Sequence, residues 1–266
     1  MIHRFRQLFR RPPGRGRSPT THPLPQPIAE IRQRALEGHV LDQVKWGDIL
    51  LDGSYISRDP HRARQWFEIA ANAGYGPAYN MLGRCHQFGW GCTRELGEAI
   101  RYYEMAMALG DLWGTYNLGI MTMRGLGVAV DRPRALSLFR KAAEQGHAKS
   151  MNLVARFTEE GWHTRRDPML ARAWYRRSAE GGDYRGRHNY ATLLLAENRR
   201  EEALEWWRRA VGEATSDILL AMHRNLSELG TDGDAGLLAE VEKRLTAMNI
   251  SRDIWATTSS GKIPSP

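Results

Sequence analysis

The feature that most constrains this chain is a glycine that recurs every 36 residues. Gly38, Gly74, Gly110, Gly146 and Gly182 hold this spacing without a slip. Five other series keep the same phase: Gly47, Gly83, Gly119, Ala155 and Ala191; Gly53, Gly89, Gly125 and Gly161; Asp59, Glu95, Asp131 and Asp167; Ala63, Ala99, Ala135 and Ala171; and Phe67, Tyr103, Phe139 and Tyr175. Self-similarity at one period of roughly 20–50 residues indicates a repeat protein whose neighbouring units share a continuous core.

Each repeat is predicted to fold as two helices, called helix A and helix B below. Helix A follows the repeat glycine and ends near a glycine of another series, as at Gly89, because glycine adopts the left-handed C-cap conformation at little steric cost. Helix B begins at Asp59-Pro60 in the first repeat and at Asp167-Pro168 in the fourth. Aspartate caps free N–H groups there, and proline fits the first helical turn.

Helix B carries a stripe of apolar side chains at helical spacing. In the first repeat this stripe consists of Ala63, Trp66, Phe67 and Ala70. Three tryptophans on this stripe are therefore expected in the core: Trp66, Trp174 and Trp206. Trp90 and Trp162 share a loop position just after a helix A glycine, and for them the sequence leaves a contact role and a packing role open.

The repeats account for residues 38–214 and occupy the middle of the chain. Residues 29–37 are predicted to form a partial N-terminal cap, and residues 215–249 a C-terminal pair of capping helices. Residues 1–28 are expected to be a disordered, basic and proline-rich leader, and residues 250–266 a flexible tail.

The fifth repeat departs from the pattern in its loop. Trp206 and Ala210 fall four residues earlier than the period predicts. The loop between the two helices is thereby reduced to about Asn198-Arg199. This repeat is expected to keep both helices and to lack the loop insertion of the others.

These residues resemble the Sel1-like repeat family, a relative of the tetratricopeptide repeats. The second repeat matches the family pattern at Ala78, Leu82, Gly83, Gly89, Gly91, Glu95, Ala99, Tyr102 and Ala106, and the third at Leu118, Gly119, Gly125, Gly127, Val128, Asp131, Ala135, Ala142, Ala143 and Gly146. The resemblance implies an all-α, right-handed solenoid of five repeats whose concave side is lined by helix A. It also implies a non-enzymatic scaffold or adaptor that binds a protein or peptide partner and uses no cofactor or metal.

Such a partner is expected on the face of helix A that points away from the core. Subtraction of the core positions leaves these candidate side chains: Asn80, Arg84, Trp113, Tyr116, Asn117, Asn152, Arg156, His188 and Asn189. Carboxamides bond a peptide backbone as donors or acceptors, and arginine recognises carboxylates. Two alternatives stay open: the set is merely solvated, or the asparagines bond the backbone of a neighbouring repeat.

The positive charge of the chain is concentrated at its start. The formal net charge is +8, and residues 1–28 hold six arginines and no acidic residue. A nucleic acid or an acidic membrane surface would therefore be bound by this leader rather than by the repeats. A membrane-surface or nucleic-acid tether is the second hypothesis for function, although no specific nucleic acid is expected. No apolar run is long enough to form a transmembrane helix.

A thiol or metal site is the third hypothesis, and it would make the chain an enzyme. Cys85, His86 and Cys92 form the only local cluster of ligand types, at a spacing unusual for zinc. The same residues are also interpreted as a buried thiol, a packing histidine and a loop thiol. Two cysteines form no disulfide framework and no secretory signal is recognisable, so a reducing, cytoplasmic location is expected.

Overall fold

The computed structural model describes residues 23–230 and 234–251, and this part of the chain contains helices and no strands. Its helices are α1 (Gln26–Leu36), α2 (Val40–Asp52), α3 (Pro60–Asn72), α4 (Gly76–Phe88), α5 (Leu96–Ala108), α6 (Leu112–Arg124), α7 (Arg132–Glu144), α8 (Ala148–Glu160), α9 (Pro168–Glu180), α10 (Tyr184–Ala196), α11 (Arg200–Val211), α12 (Ser216–Leu229) and α13 (Ala235–Ala247). The predicted all-α class is confirmed. The chain divides into two compact units: unit 1 ends at Leu138, and unit 2 begins at Phe139.

Helix A of the five repeats corresponds to α2, α4, α6, α8 and α10, and helix B to α3, α5, α7, α9 and α11. In unit 1 each helix from α1 to α6 contacts the next one along the chain, and α4 also contacts α6. In unit 2 α8 contacts both α9 and α10. Helices α4 and α6 in unit 1, and α8 and α10 in unit 2, therefore lie side by side, and this arrangement positions the candidate residues.

The helix ends follow the capping residues that the sequence predicts. The carboxylates of Asp59, Asp131 and Asp167 each accept a hydrogen bond from the backbone N–H three residues on, at 2.9 Å. Gly89 ends α4 in the left-handed region, with φ at +73°. Both predictions are confirmed, because capping depends on residues that are close in sequence.

The core of each repeat forms where a small residue of helix A meets an aromatic ring of helix B. A Cβ atom added at Gly83 would lie 2.6 Å from the buried ring of Tyr103, and one at Gly47 would lie 2.4 Å from that of Phe67. At these two positions only glycine lets helix A lie this close to the aromatic ring of helix B. In unit 2 the corresponding position of the fourth repeat is the buried Ala155.

The expected positions of three tryptophans were wrong. Trp66, Trp174 and Trp206 are half-buried and pack at the edge of the core. The next residue along each helix, Phe67, Tyr175 or Trp207, is the buried one. A helix turns about 100° per residue, so the tryptophan before each buried aromatic residue is rotated toward the edge of the core.

The described residues also locate the ends of the repeat region. Helix α1 begins at Gln26, so the predicted leader boundary at residue 28 falls inside a helix, and Ile28 is buried. Helices α12 and α13 occupy the segment predicted to hold the capping pair. Residues 1–22 of the predicted leader and residues 252–266 of the predicted tail lie outside the described residues.

Candidate functional site

Two asparagines on neighbouring helix A elements form a hydrogen bond in unit 1. Asn117 Nδ2 on α6 donates to Asn80 Oδ1 on α4 over 2.8 Å. Asn80 is buried, whereas Asn117 is half-buried. Asn117 Oδ1 accepts no hydrogen bond from the described residues, yet it is not enclosed by protein. The bond therefore fixes the amide of Asn117 and leaves its carbonyl oxygen open to solvent.

Unit 2 contains a second pair with the same geometry. Asn189 Nδ2 on α10 donates to Asn152 Oδ1 on α8, again over 2.8 Å. Asn152 is buried and Asn189 is half-buried. We call the surface around Asn117 in unit 1, and that around Asn189 in unit 2, the asparagine face of each unit.

An arginine follows the buried asparagine of each pair by one helical turn. The Arg84 guanidinium lies 4.8 Å from the ring centroid of Trp90, and that of Arg156 lies 5.2 Å from Trp162. Neither arginine forms an ion pair with a carboxylate of the described residues. Stacking on the indole orients each guanidinium, and Arg84 Nη1 also donates to Met81 Sδ over 3.5 Å. The remaining N–H donors suit a carboxylate. The two loop tryptophans thus have at least a packing role.

The two asparagine faces differ at the residues that precede Asn117 in unit 1 and Asn189 in unit 2. In unit 1 Trp113 and Tyr116 meet edge to face, with ring centroids 6.0 Å apart. In unit 2 the positions two repeats further on hold Arg185 and His188. Arg185 forms an ion pair with Asp217 at 3.1 Å.

His188 lies beneath the asparagine face of unit 2 rather than on it. It is buried and stacks on Trp207, with ring centroids 6.1 Å apart. Its Nδ1 has no hydrogen-bond partner among the described residues. Burial lowers the pKa of His188 to about 4, so the ring is neutral near pH 7.

The cluster of Cys85, His86 and Cys92 does not have the features of a reactive site. Cys85 is fully buried, and burial raises the pKa of its thiol to about 12. The His86 ring stacks on Tyr102 at 5.3 Å. Both cysteines are free thiols. In residues 23–230 and 234–251, no three His, Cys, Asp or Glu side chains are grouped so as to hold a metal ion.

Comparison with known families gives a specific match for the repeats. The model described as Sel1 repeat matches residues 42–75, 76–111, 114–147, 148–183 and 196–211, which together make up more than half of the chain. The chain belongs to the Sel1 repeat family. Sel1 repeat proteins generally act in protein–protein interaction as non-enzymatic scaffolds.

This Sel1 repeat chain is similar to curated proteins that are much longer. It is 32% identical over 127 residues to the chitin synthase regulator SKT5 of Malassezia restricta, a match that covers 47% of this chain and 9% of that protein. It is 30% identical over 137 residues to chitin synthase regulatory factor 3 of Schizosaccharomyces pombe, which covers 48% of this chain and 14% of that protein. The matched region therefore spans only a small part of these relatives.

Solved structures share the fold. A Sel1 repeat protein from Oxalobacter formigenes superimposes with a TM-score of 0.68 at 21% identity, covering 83% of this chain and 99% of that one. This likeness confirms the predicted α-solenoid fold. Among the Sel1 repeat helices described here, none is long and apolar enough to cross a membrane.

The pairing of the asparagines has a signal in the sequence that the prediction did not use. Asn80 and Asn117 are 37 residues apart, as are Asn152 and Asn189, which is one repeat plus one residue. Helix A elements of successive repeats lie side by side, so this offset brings the two amides together. The asparagines thus bond a side chain of the neighbouring repeat rather than its backbone.

Proposed function

We propose that this Sel1 repeat chain is a non-enzymatic scaffold that binds extended segments of a partner protein, each on the asparagine face of one unit. The observation that carries the proposal is the pair of oriented amides at Asn117 and Asn189. Each is held by a buried asparagine and keeps an accessible carbonyl oxygen. An extended segment has backbone N–H groups without partners, and a fixed acceptor binds them at little entropic cost.

Side chains around the two amides add contacts of different chemistry. Trp113 and Tyr116 provide aromatic surface in unit 1, and Arg84 and Arg156 provide guanidinium donors for carboxylates of the partner. The names of the fungal relatives, which are regulators of chitin synthase, are consistent with action through partner proteins. We place this activity in the cytoplasm, a location that agrees with two free thiols.

Photo-crosslinking from defined positions tests the proposal. A benzophenone amino acid is placed at Tyr116, at Arg185 and, as a control, at the exposed Met105 on helix B, and the full chain is irradiated in lysate of its own cells. The first two positions are expected to capture the same protein, and the control to capture none of it. Capture from Met105 alone would contradict the assignment of the face.

Two variants separate the asparagine faces from the leader. Replacing Asn117 and Asn189 together by alanine is expected to lower the captured amount at least tenfold. Removal of residues 1–22 is expected to leave it unchanged. The reverse pattern would favour the hypothesis of a basic tether.

A further inference from the structure

The asparagine pairs follow one register, counted from the N-cap residue of each helix A. Asn80 and Asn152 lie five residues after the N-caps of α4 and α8. Asn117 and Asn189 lie six residues after the N-caps of α6 and α10. The residue at position five of one helix A therefore bonds the residue at position six of the next.

Helix α12 packs beside α10 in the same register as α10 beside α8. Lys149, at position two of α8, lies 3.1 Å from the Asp183 carboxylate at the N-cap of α10. Arg185, at position two of α10, donates from Nη2 to Thr215 Oγ1 at the N-cap of α12 over 3.3 Å. The shared register sets position five of α10 beside position six of α12, as in the asparagine pairs.

The third pair of this series is incomplete. Position five of α10 is His188, which is 7% exposed, close to the 6% of Asn80 and of Asn152. Position six of α12 is Ala221, which is half-buried and has no hydrogen-bonding group in its side chain. A methyl group thus replaces the carboxamide of the other two pairs. We call the place between His188 and Ala221 the Ala221 notch.

The His188 ring presents a hydrogen-bond donor to this notch. Neither ring nitrogen bonds any of the described residues, and Nδ1 is enclosed by protein whereas Nε2 is not. Burial keeps the ring neutral near pH 7, so only one nitrogen carries a proton. A buried N–H group without an acceptor is rarer in proteins than a buried acceptor without a donor. We therefore assign the proton to Nε2, the nitrogen that a ligand can reach.

A guanidinium lies one turn beyond the notch. Arg224 follows Ala221 by three residues, which places both on one side of α12. It corresponds to Arg156 on α8, since both lie nine residues after an N-cap. It is exposed and forms no hydrogen bond or ion pair with the described residues. One turn before the notch, the carboxylate of Asp217 is compensated by Arg185 at 3.1 Å.

We propose that the Ala221 notch binds a carboxylate of the partner segment, which accepts hydrogen bonds from His188 Nε2 and from the Arg224 guanidinium. A carboxylate only accepts hydrogen bonds, so it matches two groups that only donate them. The inference rests on the proposed function, because the segment that carries the carboxylate lies on the asparagine face of unit 2. It adds the chemistry of that segment, which is acidic where it crosses from α10 to α12.

Fluorescence anisotropy with labelled peptides and the full chain tests the proposal. The probe is a ten-residue peptide of alternating serine and glutamate, at about 0.15 M salt. R224Q is expected to weaken its binding at least tenfold. The matched control is R165Q, which removes another exposed and unpaired arginine of unit 2 and is expected to leave the affinity unchanged. An equal loss in both variants would overturn the proposal, since general attraction to positive charge would then account for binding.

A second peptide, with glutamine in place of glutamate, separates a failure of this inference from a failure of the proposed function. It is expected to bind the unchanged chain at least tenfold more weakly than the glutamate peptide. Equal binding of the two peptides, with loss of both in N189A, would overturn the carboxylate site and leave the asparagine face in place. Binding of neither peptide would also overturn the inference, whereas photo-crosslinking from Arg185 tests the function independently.

Supplying the missing asparagine tests the notch itself. A221N places a carboxamide at position six of α12, where it fills the notch and can accept the hydrogen bond of His188 Nε2. It is expected to weaken binding of the glutamate peptide at least tenfold without lowering the thermal midpoint. The matched control is A239N, which makes the same change at an exposed residue of α13 and is expected to leave binding intact. An A221N chain that binds as tightly as the unchanged chain would overturn the proposal.

The donor role of His188 is tested by a variant that keeps its ring. H188F retains a planar ring against Trp207 and removes the Nε2–H group, so α10 is expected to stay folded. The affinity for the glutamate peptide is expected to fall about tenfold, as for the loss of one hydrogen bond to a charged group. A chain with unchanged circular dichroism and full affinity would show that His188 does not bind the carboxylate.

Discussion

The asparagine faces of the two units have the same central pair and different surroundings. In both units a half-buried asparagine donates to a buried one over 2.8 Å, at the same separation of 37 residues. Trp113 and Tyr116 precede the half-buried Asn117 in unit 1, whereas Arg185 and His188 precede Asn189 in unit 2. The stacking of helix A elements thus determines the pair, and the flanking positions are free to differ in chemistry.

The asparagine pair and the residues that flank it therefore have different roles, the pair in the fold and the flanking residues in the choice of partner. The pair joins neighbouring helices, so it belongs to the fold as well as to the surface. The flanking residues give unit 1 two aromatic rings, Trp113 and Tyr116, and give unit 2 the ion pair of Arg185 with Asp217. A segment bound by unit 1 is therefore expected to carry apolar residues, and one bound by unit 2 to carry polar or charged residues.

Acidification is expected to produce the largest difference between the units, because of His188. The folded pKa of about 4 lies below the ordinary value of 6.5, as burial disfavours the charged ring and outweighs the attraction of Asp217. The unfolded chain takes up a proton that the folded chain excludes, so stability is full above about pH 6.5 and falls as the pH drops to about 4. The loss reaches about 3 kcal/mol in the free energy of unfolding.

Hydrogen exchange by mass spectrometry between pH 4 and 7 resolves this loss for each unit. Protection in α10 and α11 is expected to fall steeply in the unchanged chain and only slightly in H188Q. The matched control is Y116F at the equivalent position of unit 1, which should retain the pH dependence. An H188Q chain with the full pH dependence would show that another group is responsible.

Breaking the asparagine pairs is expected to have the next largest effect, and an equal one in both units. N117A leaves Asn80 Oδ1 buried without its donor, and N189A does the same to Asn152 Oδ1. Each is expected to lower the free energy of unfolding by about 2 kcal/mol, measured by urea denaturation. If only one of the two variants lowered the free energy of unfolding, the two asparagine pairs would not be equivalent in energy.

Gly83→Ala is expected to reveal a tighter core in unit 1. The added methyl group meets the Tyr103 ring at 2.6 Å, and this overlap outweighs the gain in helix propensity, for a net loss of about 1.5 kcal/mol. Gly97→Ala is the control, since nothing lies within 4 Å of its added Cβ atom. It is expected to keep or raise the thermal midpoint. Equal midpoints for both variants would contradict the packing described.

The smallest expected effect concerns the two arginines that stack on tryptophan. R84M keeps an unbranched side chain and removes the charge, at an expected loss of about 0.5–1 kcal/mol. R156M is expected to cost less, because Arg156 is exposed whereas Arg84 is half-buried. Urea denaturation measures the free energy of unfolding of both variants. A larger loss for R156M than for R84M would contradict the prediction.

The sequence predicted those features that depend on residues close together in the chain. The aspartate caps at Asp59 and Asp167 and the glycine C-cap at Gly89 follow from local backbone geometry. Features that depend on how a helix is rotated or shifted against its neighbour were not predicted. A one-residue difference decides that Phe67 rather than Trp66 is buried, and a one-residue offset pairs Asn117 with Asn80.

The burial of His188 shows a further reason why part of the site was beyond prediction. The position is polar in the middle repeats, with Tyr116 and Asn152 at its equivalents. Asn80 and Asn152, at its equivalents, are buried as His188 is, although their repeats have full-length loops. The packing of helix A against its neighbours therefore buries this position, and in the fifth repeat His188 stacks on Trp207.

The loops between helix A and helix B differ in length, since seven residues separate α4 from α5 and only residues 197–199 separate α10 from α11. Their lengths bear on how the chain opens. In unit 1 a repeat cannot detach without pulling its loop off the helix of its predecessor, so neighbouring repeats are expected to unfold cooperatively. At α9 that coupling is reduced, since the loop after α10 is only three residues long. Within unit 2, local unfolding is therefore expected to begin at α10 and α11. The length of one loop then sets the boundary between a segment that opens readily and a segment that opens as a whole.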